Sequence, residues 1–252
     1  MNKSLNLWRV EVQGSPSDLE YLVGSSVAPS GRFSIGDRGE GYFYESDSFS
    51  NCSSEDEILK IAAQELCVLS GVLKWTRYSP EKLRAVAVFR RNATGGRDVF
   101  LNIHDEVQVR EELRRLADAQ AEATCTVTTS SERLPGTSAT AWLAANDLSV
   151  AKTMRLLVAP DHKSWVGMYR IYEVIAEDVG GERLLKTLGW CLAVDISRFK
   201  HSANSAAVGG DTARHGSETK RPPSHPMSID EAWTCVNSLI DGWLLSKWRN
   251  TV

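Results

Sequence analysis

"TSSERLPGTSAT", Thr129 to Thr140, separates two stretches of chain with different hydrophobic periods. Ser and Thr crowd around Pro135-Gly136, a dipeptide that interrupts regular structure and marks a connection. Before this segment, several short runs alternate apolar and polar residues; after it, apolar residues return at three- and four-residue intervals. The expected fold is therefore an α+β domain with a mostly antiparallel sheet over residues 1–132, followed by an all-α helical bundle over 137–252.

Working back from the break, "NLWRVEVQG" sets Trp8, Val10 and Val12 against Leu7, Arg9 and Glu11 and ends at Gly14, a half-buried strand pattern. Ser15 before Pro16 opens a short helix. "GRFSIG" and "GYFYESD" form a hairpin across "DRGE", and "LRAVAVFRR" and "RDVFLNIHD" form a second across "NATGG". Between the hairpins, "SSEDEILKIAAQELCVLSGVL" reads as a helix. Ser53 or Ser54 caps it, and Glu55, Asp56 and Glu57 occupy the first turn, where the helix dipole favours acids. Ile58, Ile61, Ala62, Leu66 and Leu69 form its apolar stripe, and Gly71 is expected to end it. The stretch from Glu106 to Ala123 has helix-forming composition, and "ATCTVTT" after it is strand-like.

Working forward, "SATAWLAAND" and "LSVAKTMRLLVAP" make one interrupted helix or two short ones, stopped at Pro160. "HKSWVGMYRIYEVIAEDVGG" spaces Trp165, Met168, Tyr169, Tyr172 and Ile175 as a helix before Gly180-Gly181. "ERLLKTLGWCLAVDISRFKHSANS" holds one or two more, with a break near Gly189. In "SIDEAWTCVNSLIDGWLLSKW", Ser228 and Glu231 have capping-box spacing. Ile229, Ala232, Trp233, Val236, Leu239, Ile240 and Trp243 supply the apolar stripe. Most of the eight tryptophans fall in this half, chiefly as core, with Trp243 or Trp248 left to reach a subunit contact.

The bulk composition narrows the function classes. Hydrophobic residues make up 42% and charged residues 24%, as in a folded globular chain. A net charge of -3 gives no global attraction to nucleic acid, so such binding would need a local basic patch. No signal-peptide h-region and no membrane-length apolar run is present, and the five cysteines are dispersed without a C-x-x-C pair. The reading is a cytoplasmic protein with reduced thiols, no membrane association and no cofactor. "NATGGRD" lacks the residues of a phosphate loop, and neither G-x-S-x-G nor H-E-x-x-H occurs.

Chemistry-bearing residues concentrate in "SRFKHSANSAAVGGDTARHG", Ser197 to Gly216. Arg198 and His201 share a helix face, with Asp195 one turn earlier. Guanidinium binds phosphate with two donors and imidazole titrates near neutrality, so these residue types suit metal-independent RNA cleavage. Arg198 can equally form a surface pair with Asp195. Gly209-Gly210 permits a tight turn, and Asp211 can cap a short helix carrying Arg214 and His215. That turn could fold Arg214 and His215 back beside His201 and Asn204, giving an anion pocket. Arg214 could otherwise tie the long connection to the bundle through carbonyls or Asp195. His201, His215, His225 and Asp211 match no recurrent metal-ligand spacing, so no metal site is expected.

An Arg and a His on the penultimate helix of a compact bundle, followed by a loop and a closing amphipathic helix, resemble the HEPN superfamily. The resemblance covers roughly Thr137 to Val252 and rests on helix layout. It implies a dimeric helical domain related to metal-independent ribonucleases of bacterial defence and toxin–antitoxin systems. That family places four to six residues between its Arg and its His. Counted from Arg198, the positions for that His are Ala203, Asn204 and Ser205, while His201 comes earlier and Arg214 and His215 are adjacent. The series "SWVGMYRIYEVI", "GW", "RFKHSANS", "ARHG", "HPMSIDEA" and "WL" is also similar to a pattern of bacterial proteins with no assigned activity.

The expected function is a non-catalytic binding or interaction module of a bacterial or phage-related protein, acting in defence or stress response. It would meet a protein partner, or RNA or another anionic ligand, and assemble as a homo-oligomer. The alternative is a HEPN-type ribonuclease using Arg198, His201, Arg214 and His215, with Asn204 and Asp211 as binding residues.

Overall fold

The structure, a computed structural model, describes residues 8–36, 41–91, 97–101, 134–210, 213–214 and 223–251. The readings of Glu106 to Ala123 and of "ATCTVTT", both hairpin turns, Asp211 and His215 lie outside these residues.

Five strands, β1 (Trp8–Gln13), β2 (Gly31–Ile35), β3 (Tyr42–Ser46), β4 (Arg84–Arg91) and β5 (Arg97–Leu101), form one sheet in the order β2-β3-β1-β4-β5. Every pairing is antiparallel, and the two expected hairpins are the β2/β3 and β4/β5 pairs. Strand alternation puts Trp8, Val10 and Val12 of β1 on one face, each nearly inaccessible to water. Phe33 of β2, Tyr44 of β3 and Val88 of β4 join them in the core. Helix α1 (Pro16–Val23), with Pro16 in its first turn, adds Leu19 and Leu22 to the same core.

Helix α2 (Glu55–Arg77) starts as its sequence predicts. The Ser54 side chain accepts from the Glu57 amide, and three acids occupy the first turn. It does not stop at Gly71. Two further turns follow, ending at Tyr78 in the left-handed conformation (φ 56°). Gly71 serves close packing instead: a Cβ there would lie 2.1 Å from the carbonyl oxygen of Met154.

Met154 belongs to the helical half. Helices α3 (Thr137–Asn146) and α4 (Leu148–Leu157) are two separate short helices, broken at Asp147, whose carboxylate caps α4 through the Ser149 and Val150 amides. After them come α5 (Trp165–Asp178), the single turn α6 (Glu182–Leu185), α7 (Ala193–Ala203), the single turn α8 (Ala206–Gly209) and α9 (Ile229–Arg249). The predicted Ser228–Glu231 capping box is present at the start of α9, with both reciprocal bonds made. Trp243 is buried on α9 and Trp248 is partly exposed, as one of the two was expected to be; Ile229 stands 40% exposed at the edge of the predicted stripe.

Helix α2 occupies the seam of the molecule. It packs on the sheet through β4 and β1, and on α3 and α4 with its other side, so one hydrophobic cluster runs from Val10 to Trp243. Across the seam, the hydroxyls of Thr76 and Thr137 are 3.0 Å apart. Among the described residues, no helix is long and apolar enough to cross a membrane.

Candidate functional site

Helix α7 carries the first basic pair. Its inner face, Ile196, Phe199, Ser202 and Ala203, is buried. Phe199 packs among the rings of Trp165, Tyr169 and Tyr172 on α5, with centroids 5.7–6.4 Å away. Burial of this face turns Arg198 and His201 outward, a consequence of the helical period.

Arg198 reaches toward α9. Its guanidinium meets Asp195 at 3.1 Å, the pair expected one turn earlier, and Glu231 at 3.6 Å. It also donates through Nε to the carbonyl of His225 at 3.3 Å. Glu231 is the capping-box carboxylate of α9. The Ser228 backbone amide that donates to it, with Arg198 adding to the effect, holds it below the usual carboxylate range. Met227 is fixed in the same place, its amide donating to the Ser202 hydroxyl at 2.9 Å. Arg198 thus ties the approach to α9 onto α7.

Arg214 reaches a different neighbour. Its guanidinium pairs with Glu173 of α5 at 2.7 Å and lies 4.1 Å above the Tyr169 ring. Asn204, the residue capping α7, links this guanidinium to α7: its Nδ2 donates to the Lys200 carbonyl at 2.8 Å, and its Oδ1 accepts from Arg214 at 3.4 Å. The Arg214 amide donates to the Ala203 carbonyl at 3.0 Å, anchoring the returning chain to the end of α7.

The structure therefore brings Asn204 and Arg214 together and places Arg198 with a separate set of partners. His201 is exposed in the last turn of α7. Both guanidiniums face carboxylates, so a phosphate binding either would have to displace an acid already in place. Among the described residues, no group of three or more His, Cys, Asp or Glu is placed to hold a metal ion.

A second surface is apolar. Leu184 of α6 is 52% exposed; Leu188 and Leu192 in the connection are 44% and 69%, and Val194 of α7 is 61%. These four are among the eleven exposed large apolar residues of the described part of the chain, and they fall within one eleven-residue stretch, an apolar strip of sequence. Glu182 beside the strip is ion-paired with Lys186 and Lys200, and these contacts, Lys186 foremost, hold its carboxyl below the usual range. No protein-family model, curated protein or solved structure matches the chain.

Sequence reasoning centred on charged side chains passed over this strip. Its signal was present in "LLKTLGWCLAV": Leu184, Leu185, Leu188, Leu192 and Val194 are too many apolar residues for the single stripe that a short helix can bury. It also passed over Cys191 and Cys235, whose 44-residue separation carries no local pattern.

Proposed function

We propose that the chain is a non-catalytic interaction module that pairs with a second copy of itself through the strip Leu184, Leu188, Leu192 and Val194. The observation that carries this reading is the clustering of those exposed side chains along one segment. Removing apolar surface from water contributes about 25 cal/mol per Å², and an exposed strip of this kind gains that term only when covered. Its flanking charges are partly compensated within the chain: Glu182 meets Lys186 and Lys200, and Asp195 meets Arg198. Stable pairing buries roughly 800 Å² per partner, so the strip forms the apolar centre of a wider contact. A cytoplasmic setting and a part in defence or stress response belong to the same reading. The ribonuclease alternative gains no support from the partners of Arg198 and Arg214, both of which already meet acids.

Light scattering on the full chain tests the proposal. The wild type is expected to form a dimer, and the double variant Leu192→Glu, Val194→Glu to be a folded monomer. A wild type that remains monomeric at high concentration, or a double variant that still dimerises, would sink it. Incubation with RNA of the wild type, His201→Ala and His215→Ala is expected to show no cleavage by any of the three. Cleavage lost in either variant would restore the enzymatic alternative.

A further inference from the structure

Cys191 and Cys235 are distant in sequence, yet their sulfur atoms are 2.9 Å apart. Cys191 lies half-buried in the connection between α6 and α7, and Cys235 is buried in the second turn of α9. Several contacts hold them there. Trp190 sits in a notch on α9 that exists because residue 242 is glycine; a Cβ there would lie 2.2 Å from the Trp190 ring. Cys235 and Gly242 are seven residues apart, two helical turns, so they share one flank of α9. Trp190 and Cys191 therefore dock on that flank at successive levels. On the far side of Cys191, the Arg198–Glu231 and Ser202–Met227 contacts fix α7 to the start of α9. Among the four described cysteines, Cys52 and Cys67 have no such sulfur contact.

The chemistry of the pair is unequal. The contact between the two sulfurs, in which either can donate, holds Cys191 below the usual thiol range and, with burial, pushes Cys235 well above it. The more exposed sulfur is thus the one that favours the thiolate, the reactive form.

We propose that Cys191 and Cys235 are a redox-active dithiol that a peroxide converts into an intramolecular disulfide, bolting the segment that carries the apolar strip onto α9. The Cys191 thiolate attacks one peroxide oxygen. An S–O bond forms, the O–O bond breaks, and the departing hydroxide takes up a proton to leave as water. The Cys235 sulfur then attacks the sulfenic sulfur of Cys191. The S–S bond forms, the S–O bond breaks, and the released hydroxide takes the Cys235 proton as a second water. Two thiols lose two electrons and one peroxide gains them. A thiol reductant reverses the bond by exchange. The juxtaposition makes this a small local motion, because docking of Trp190 has already brought the two sulfurs together. Oxidation adds a covalent link to the contacts that already hold the Gly189–Leu192 connection and keeps Leu188, Leu192 and Val194 in place as a surface. The effect on pairing, but not the disulfide, rests on the interaction-module reading.

Limited hydrogen peroxide applied to the full reduced chain, followed by alkylation and peptide mass mapping, tests the proposal. The expected product has lost two hydrogens in mass and carries a Cys191–Cys235 cross-link that dithiothreitol removes. Cys191→Ser and Cys235→Ser each abolish the link. Since Cys191 is half-exposed, its variant remains informative if the buried Cys235→Ser fails to fold. Oxidation is also expected to slow tryptic cleavage after Lys186 at least threefold in the wild type and to leave the Cys191→Ser rate unchanged. A product in which Cys191 is over-oxidised without a link, or in which either cysteine pairs instead with Cys52, Cys67 or Cys125, would overturn the assignment. Light scattering of reduced and oxidised protein separates the two proposals. A mapped disulfide in a chain that never dimerises supports the dithiol and defeats the interaction reading; dimerisation without the link does the reverse.

Discussion

Gly71 of α2 and Met154 of α4 are in backbone contact: a Cβ added at position 71 would come within 2.1 Å of the Met154 carbonyl oxygen and 2.7 Å of its Cα. Those atoms belong to a helix backbone and cannot swing aside, so even the smallest side chain must push α2 away from α4. Gly71→Ala therefore removes an intrinsic helix penalty and still destabilises, because overpacking of this kind costs about 1–3 kcal/mol. Urea unfolding should show a lower midpoint. An unchanged or higher midpoint would mean that the two helices separate at little cost.

Lys247 of α9 joins two other helices. It meets Asp147, the cap of α4, at 2.5 Å and Asp178, at the end of α5, at 2.8 Å, while the Trp243 indole donates to Asp178 at 2.8 Å. Lys247→Met leaves two acids facing each other without a cation and is expected to cost about 2 kcal/mol. Burial raises the pKa of Asp147, but the Lys247 bond and the capping amides outweigh it and hold the carboxyl below its ordinary value. A folded-state value lower than the unfolded one means stability that is present above about pH 4 and lost as pH falls through the folded value. Wild type and variant should therefore converge in stability in strong acid, as followed by thermal melts across pH. A difference that stays constant down to pH 2 would count against the ion pair.

Asp241 behaves in the opposite sense. Burial pushes its carboxyl up to about 6, and its Oδ1 is inaccessible without a hydrogen-bond partner. The folded state thus favours the protonated form, so this group's contribution is most favourable below about pH 4 and is lost as pH rises toward 6. Asp241→Asn is expected to raise stability at pH 7 by about 1 kcal/mol after allowance for solvent screening, with the gain vanishing near pH 4. Thermal melts of the pair at both pH values check this, and a gain that is equal at both would exclude titration of Asp241 as its cause.

Arg198→Ala should act on stability and not on RNA. The substitution removes the contacts to Asp195, Glu231 and the His225 carbonyl, loosening the start of α9 for about 1 kcal/mol. Hydrogen exchange should quicken at Met227 to Ala232 while the sheet stays protected. Unchanged exchange there would show that the capping box alone holds the helix start.

The apolar strip yields a prediction that separates contact from folding. Leu192 and Val194 are mostly exposed, so Leu192→Glu with Val194→Glu should leave the unfolding free energy within about 0.5 kcal/mol of wild type. The same change should weaken self-association at least tenfold, as measured by sedimentation. Loss of both properties together would place these residues in the fold and not in a contact surface.

The residues themselves determined what could be settled within a few positions. Ser228 and Glu231 are three apart, and the capping box follows from helix geometry alone. Asp195 and Arg198 pair because one turn of α7 brings them together. Alternating runs closed by turn residues specified both hairpins. Tertiary structure decided the rest. Gly71 looks like a helix stop in sequence, but the approach of α4 makes it a packing site within a longer helix. Arg214 could have met carbonyls or Asp195 and instead meets Glu173, 41 residues away, because α5 lies beside the end of α7. Leu192 and Val194 look like ordinary core residues until the helix packing leaves them outside. Cys191 and Cys235 come together only when Trp190 finds the space left by Gly242. Local sequence sets backbone conformation over one or two turns, whereas the placement of helices with many residues between them emerges from the packing of every buried face at once.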